Sequence, residues 1–164
     1  MKQQPQFLTG MTVFIAGVGL LGTSKKITLP KVEQMRETIT AGGFERSVAT
    51  GIFKAMEAEI DLSEYHASVY KAASQIGTPP TFVAKGSIIQ KGQTFPVIAT
   101  FKGGFDIDDG GWETGKEAER KLKLYCDYYA LEINGKEQCL FDVDNIIARL
   151  YGVDMLEKLR SHIL

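Results

Sequence analysis

Polar and apolar residues alternate without interruption over residues 55–62, with Met56, Ala58, Ile60 and Leu62 on one side and Glu57, Glu59 and Asp61 on the other. A period of two is the mark of a strand with one buried face. The segment therefore predicts a half-buried strand with an acidic outer face. Residues 12–16 are apolar and β-branched and stop at Gly17, and residues 23–29 resume an extended pattern that Pro30 ends. Together these two runs predict a hairpin. A further strand is expected over 31–40, followed by a flexible corner at Ala41-Gly42-Gly43. Residues 81–90 and 94–101 predict a second hairpin around Lys91-Gly92, with Pro96 signalling an edge or a bulge. One long strand is expected over 119–133. Asn134-Gly135, the strongest short hairpin signal, then turns it into a return strand over 137–143.

Two stretches have helical spacing. The first covers about 64–75, with Ser63 placed to cap it, Val69, Ala72, Ala73 and Ile76 on one side, and Gly77 at its end. The second covers 154–162, where Asp154 would cap a helix carrying Leu156, Leu159 and Ile163. Residues 1–10, with Pro5 among glutamines, read as an extended N-terminal arm. No repeat, low-complexity tract or linker divides the chain, so residues 1–164 are expected to form a single domain. The predicted class is mainly β (α+β): an antiparallel β-sandwich or partial barrel with one packed helix and a short C-terminal helix.

Composition narrows the function classes. The 164 residues are 44% apolar and carry 19 basic and 20 acidic side chains, a net charge of −1. Holding nucleic acid by counterion release needs a net basic face, which this balance does not supply. The two cysteines, Cys126 and Cys139, are too few for a disulfide framework and lack histidines at metal-ligand spacing, so a reducing compartment is expected. Seventeen glycines against five prolines fit a protein of many turns and short strands. The longest apolar stretch, residues 11–22, is broken by Thr12 and three glycines and is shorter than the roughly 20 residues a membrane span needs. Gly22-Thr23-Ser24 does not resemble an export cleavage site.

Two motifs imitate binding sites. Gly17-x-Gly19-x-x-Gly22 matches the dinucleotide fingerprint, but that fingerprint works only if a helix N-terminus follows to receive the pyrophosphate. Residues 23–30 are β-branched and stopped by proline, which leaves a nucleotide-binding oxidoreductase as a remote alternative. Residues 106–117 place Asp, Asp, Gly and Glu at four calcium-loop positions, yet Gly110 stands where a ligand belongs, so a solvated loop between strands is expected. His66 and His162 have no context for a nucleophile–base pair, and Cys126 reads as a small packed hydrophobe. No catalytic set, metal site or cofactor is expected.

Several segments are familiar as an ordered set: Thr28-Leu29-Pro30-Lys31, Ala41-Gly42-Gly43, Ala55-Met56-Glu57-Ala58, Gly115-Lys116-Glu117, Tyr128-Tyr129-x-Leu131-x-Ile133-Asn134-Gly135-Lys136-Glu137 and Gly152-Val153-Asp154-x-Leu156. In order and spacing they resemble the major tail tube protein of contractile-tailed phages, the family that includes the tubes of R-type bacteriocins. The likeness runs from Met11 to Leu156. Tyr151 stands where the family pattern has Asn, and Ser161-His162-Ile163-Leu164 replaces its usual Gly-Leu close.

The resemblance implies a sandwich whose strands contribute to an inner β-barrel, in hexameric rings stacked into a hollow tube. The partners it implies are further copies of the chain, the tail sheath, the tape-measure protein, and the baseplate and tail terminator proteins. DNA would be met only in passage, and any membrane puncture would be the work of the assembled tail tip, in a virion tail put together in the host cytoplasm. The alternative is the tube of a type VI secretion system or of a tailocin, which carries no genome.

On that reading an acidic lumen repels phosphate and lets DNA slide, so Glu57, Glu59 and Asp61 are the candidate lumen lining, with the outer surface as the alternative face. Residues 41–54 are the candidate inter-ring element, a loop or hairpin with Gly42, Gly43 and Gly51 as pivots and Phe44, Ile52 and Phe53 as apolar contacts.

Overall fold

The computed structural model describes residues 3–20 and 22–164. Met1 and Lys2 of the expected arm, and Leu21 within the glycine fingerprint, lie outside that description. Twelve strands and two short helices follow one another among the described residues. They are β1 (Phe7–Ile15), β2 (Val18–Gly19), β3 (Ser24–Thr28), β4 (Gln34–Ala41), β5 (Phe44–Phe53), β6 (Met56–Leu62), α1 (Ala67–Ala73), β7 (Thr81–Gln90), β8 (Gln93–Asp108), β9 (Arg120–Ile133), β10 (Lys136–Asp142), β11 (Ile147–Leu150), β12 (Val153–Asp154) and α2 (Glu157–Ile163). Every pairing is antiparallel, as a mainly β sandwich requires.

The architecture turns on β8 and β9, which are long enough to serve two layers. Through Lys102, β8 pairs with β7, and the second half of β9 pairs with β10, giving the layer β2-β1-β7-β8-β9-β10-β11-β12. Beyond Gly103 the same two strands run on with β6 and β3 beside them, giving the four-stranded layer β8-β9-β6-β3. The bend is a β-bulge: Lys102 pairs with Tyr128 and Gly103 with Cys126, so Asp127 is left over on β9. Its effect is visible in the core. Leu122, Leu124 and Cys126 are buried at even positions before the bulge, and Tyr129 is buried at an odd one after it. The alternation thus changes phase where the strand crosses between layers.

Gly103 makes the crossing possible, since a Cβ there would lie 1.9 Å from the Tyr125 carbonyl oxygen. The layers close on a shared core of Val13, Ile15, Ile60, Leu62, Phe82, Phe101, Leu122, Leu124 and Phe141, with Val69 and Ala72 of α1 joining it. Phe82 of one layer meets Phe105 of the other edge to face at 5.3 Å.

Several expectations are corrected. β3 does not pair with β1: β7 and β2 occupy the two edges of β1, and β3 joins β6, where Ile27 packs on the core. Of the N-terminal arm, residues 7–10 belong to β1. Residues 44–53 are a strand, so the segment 41–54 is half of the hairpin β4–β5, turned by Gly42 (φ 61°) and Gly43 (φ 80°). The first helix is shorter than its spacing suggests. His66 caps it by accepting from the Ser68 N–H, while Ala73 and Ile76 are exposed.

The second helix starts at Glu157, and Asp154 instead ends β12, accepting from the Leu156 N–H at 3.1 Å. Pro96 lies inside β8, tolerated because pairing with β9 begins only at Val97. Asp106 and Asp108 are strand residues rather than loop, and β2, β11 and β12 were not foreseen. Gly17 and Gly19 sit in the tight turn and the two-residue strand that follow β1, and β3 comes next.

Candidate assembly surfaces

The outer face of the four-stranded layer is a charge lattice. Opposite the core, β6 presents Glu57, Glu59 and Asp61, and the register sets Tyr125, Lys123 and Lys121 of β9 beside them in that order. On the other flank of β9 the same register brings Asp106 to Lys123 and Asp108 to Lys121. β3 sets Lys26 beside Asp61. The row Lys26–Asp61–Lys121–Asp108 therefore alternates in sign across four strands, a favourable cross-strand arrangement.

Lys123 sits 3.5 Å from Glu57, whose charge holds its ammonium pKa above the ordinary lysine range. Tyr125 donates to Asp106 at 3.0 Å, and that bond raises its phenol pKa. Five carboxylates (Glu57, Glu59, Asp61, Asp106, Asp108) meet three lysines (Lys26, Lys121, Lys123), so the face carries a net −2 with each lysine beside at least one acid. The acidic row expected from sequence is real, but it is interleaved with cations that the sequence reading missed. Their signal was available, because Lys121 and Lys123 alternate with Leu122 and Leu124 at the same period of two.

This layer has two open edges among the described residues. β3 is paired only with β6, and β8 has no partner on its β7 side beyond Lys102. Open strand edges are sites for pairing with another chain.

The hairpin β4–β5 is a separate two-stranded sheet. Cross-strand partners share a face, which places Ile39 beside Arg46, Ala41 beside Phe44 and Glu37 beside Val48. Met35 (47% exposed), Ile39 (48%) and Phe44 (79%) therefore stand uncovered along one side. Thr38, Thr40, Ser47 and Glu45 make the other side polar. Among the described residues only the base of the hairpin is anchored. Lys54 donates its N–H to the Glu33 carbonyl, and the Phe53 ring lies 5.6 Å from that of Phe141. Phe53 is thus an intrachain anchor, whereas Gly42, Gly43, Phe44 and Ile52 are free to meet another molecule.

A groove of about 400 Å³ runs from the hairpin root to α2, with Cys126 in its wall. Burial, with the charge of Asp127 adding, pushes the Cys126 thiol up to about 11. Near pH 8 the folded chain should react with iodoacetamide at Cys126 roughly 100-fold more slowly than a free cysteine of pKa about 8.5 does. Labelling at the free-cysteine rate would contradict this. The sign for stability follows: between about 8.5 and 11 the unfolded thiol has lost its proton and the folded one keeps it, so stability falls as pH rises through that window.

At the far end of the same layer a polar cluster ties the 109–119 loop to α1. The Arg120 side chain is fully buried, donates from Nε to Asp109 at 2.7 Å, and lies over the rings of Tyr65 and Tyr70 at 4.9 and 4.8 Å. Tyr70 donates to Asp109, and Trp112 donates its indole N–H to the Tyr65 hydroxyl at 2.7 Å. Burial and that bond to Asp109 raise the Tyr70 phenol. Among the described residues no cluster of His, Cys, Asp and Glu is placed to hold a metal ion.

The described residues thus form a two-layered β domain with open strand edges, an uncovered hairpin and a charge-lattice face. The family model described as phage tail tube protein FII matches residues 5–163. The tail tube protein of Escherichia phage P2 is 30% identical to this chain over 167 residues, spanning 97% of each. The chain belongs to the phage tail tube protein FII family. It is a structural protein of the virion, a tail tube component of the contractile-tailed phage type that assembles with itself and with other tail components.

Proposed function

We propose that the four-stranded layer forms the lumen wall of the tube, with Glu57, Glu59 and Asp61, together with Asp106 and Asp108, facing the channel. The observation that carries this reading is the coincidence on one layer of an apolar face on the core, a charged face away from it, and, among the described residues, an open strand edge at each side. Pairing β3 of one subunit with the outer half of β8 of the next closes such layers into a continuous barrel, which removes both edges. Six subunits per ring is the count carried over from the family resemblance.

The lattice suits a conduit. DNA is repelled by the excess of carboxylates, and each lysine already has an acid beside it, so no free row of cations is offered to phosphates. The hairpin contacts the next ring through Gly42, Gly43, Phe44 and Ile52. The sheath lies outside, the tape-measure protein inside before the genome passes, and the baseplate and tail terminator proteins at the two ends. A density map of the assembled tube tests the lining: the three carboxylates of β6 are expected to point at the axis, and outward-pointing side chains would overturn the assignment.

A further inference from the structure

We infer that the end of the subunit bearing the 109–119 loop is the acceptor for the hairpin of a second copy in the next ring, an inference that rests on the stacking role proposed above. β6 and β9 run between the two ends concerned. At one end of the pair Met56 meets Cys126, and the hairpin leaves just before Met56. At the other end Leu62 meets Arg120, the residue that follows the loop. A contact that uses one patch twice closes after a single pairing, whereas unlimited stacking needs different, complementary patches on one chain. The hairpin and the loop end meet that requirement.

The loop end also has the right surface. Trp112 is 89% exposed, with Tyr65 and Tyr70 also exposed beside it. The indole is held by its bond to Tyr65 and stands edge-on to that ring, so it is presented in a fixed orientation. Next to this patch lies a cavity of about 370 Å³ lined by Lys25, Asp61, Gly110 and Arg120, among others. Two of those residues carry the buried side-chain polar atoms that have no partner among the described residues: Arg120 Nη2, a donor, and Asp61 Oδ1, an acceptor.

Leaving such groups unmatched is costly, and native structures leave few of them. A peptide carbonyl answers the need of the guanidinium. The Gly42-Gly43 turn offers peptide groups with no side chain in the way and nothing within 4 Å of either would-be Cβ. Phe44, next in the chain, is then placed to lie on Trp112.

Two variants at exposed positions, Phe44→Asp and Trp112→Asp, test the assignment, with melting temperatures establishing that each folds. Each alone should give rings and no tubes by negative-stain microscopy. Mixed, they retain one good hairpin and one good acceptor between them, so rings should stack in pairs and go no further. Full-length tubes from Trp112→Asp, or a mixture that stays as single rings, overturns the acceptor. Full-length tubes from Phe44→Asp would instead remove the hairpin reading on which it rests. As a check independent of assembly defects, Phe44→Cys combined with Trp112→Cys, oxidised in assembled tubes, should give a covalent ladder through many chains. Cross-linking of the Phe44→Cys single variant into dimers would mean hairpin-to-hairpin contact and overturn the proposal, as would tubes of the double variant that yield no ladder.

Discussion

Alanine at Gly103 is expected to cost about 3–5 kcal/mol of subunit stability, a large part of the roughly 5–15 kcal/mol a domain of this kind possesses. The added Cβ would sit 1.9 Å from a backbone oxygen on the neighbouring strand, an atom that cannot rotate away. Relief requires β8 and β9 to separate at the point where both cross between layers. Gly104→Ala is the matched control, because nothing lies within 4 Å of its would-be Cβ and its side faces away from the core. The control should stay within about 1 kcal/mol of the parent. Denaturant titration of both variants decides the matter, and a Gly103→Ala midpoint close to that of Gly104→Ala would show that the bend is not set by this contact.

Aspartate at Phe44 should have the opposite profile: subunit stability within about 0.5 kcal/mol of the parent, and loss of tube formation. The ring is 79% exposed and touches little of its own chain, so the folded subunit hardly senses the change. In a stacked contact the new carboxylate would be buried without a partner, at a cost of several kcal/mol for each copy in the ring. Sedimentation and microscopy read the loss, and tubes of normal length would remove the hairpin from the stacking contact. Phe53→Asp is not equivalent, because that ring packs on Phe141 and its loss would lower stability before assembly is reached.

Much of this fold is legible where one face of a strand is buried. The alternation at residues 56–62 gave the burial of β6 residue by residue, and Asn134-Gly135 gave the β9–β10 turn, with φ of 52° and 77°. Pairing partners were harder to read, because register depends on contacts distant in sequence. Nothing local tells β3 to choose β6 over β1. The bulge at Asp127 left a trace in the shift of buried positions from even to odd along β9, but a single long strand absorbs that shift unless the phase is followed.

The charged face was half visible in the sequence. Glu57, Glu59 and Asp61 stood out because they are adjacent on one strand, whereas Lys26, Asp106 and Asp108 reach the same face only through pairing. Arg120 gave no sequence signal beyond its place at the start of a strand. Its importance comes from the two tyrosines and the aspartate that three other segments bring to it.

The uncovered hairpin has a kinetic consequence. Two strands without tertiary support are marginal in water, and fixing each residue costs roughly 1–2 kcal/mol of backbone entropy. On the stacking role proposed for it, a lone subunit meeting another must meet that cost for one weak contact, so encounters in dilute solution dissolve again. A completed ring offers all its hairpins at once, and after the first docks the rest bind at high effective concentration. Tube growth then shows a lag, a critical concentration and a strong preference for extending an existing end, so that subunits wait in solution until a starting ring is supplied.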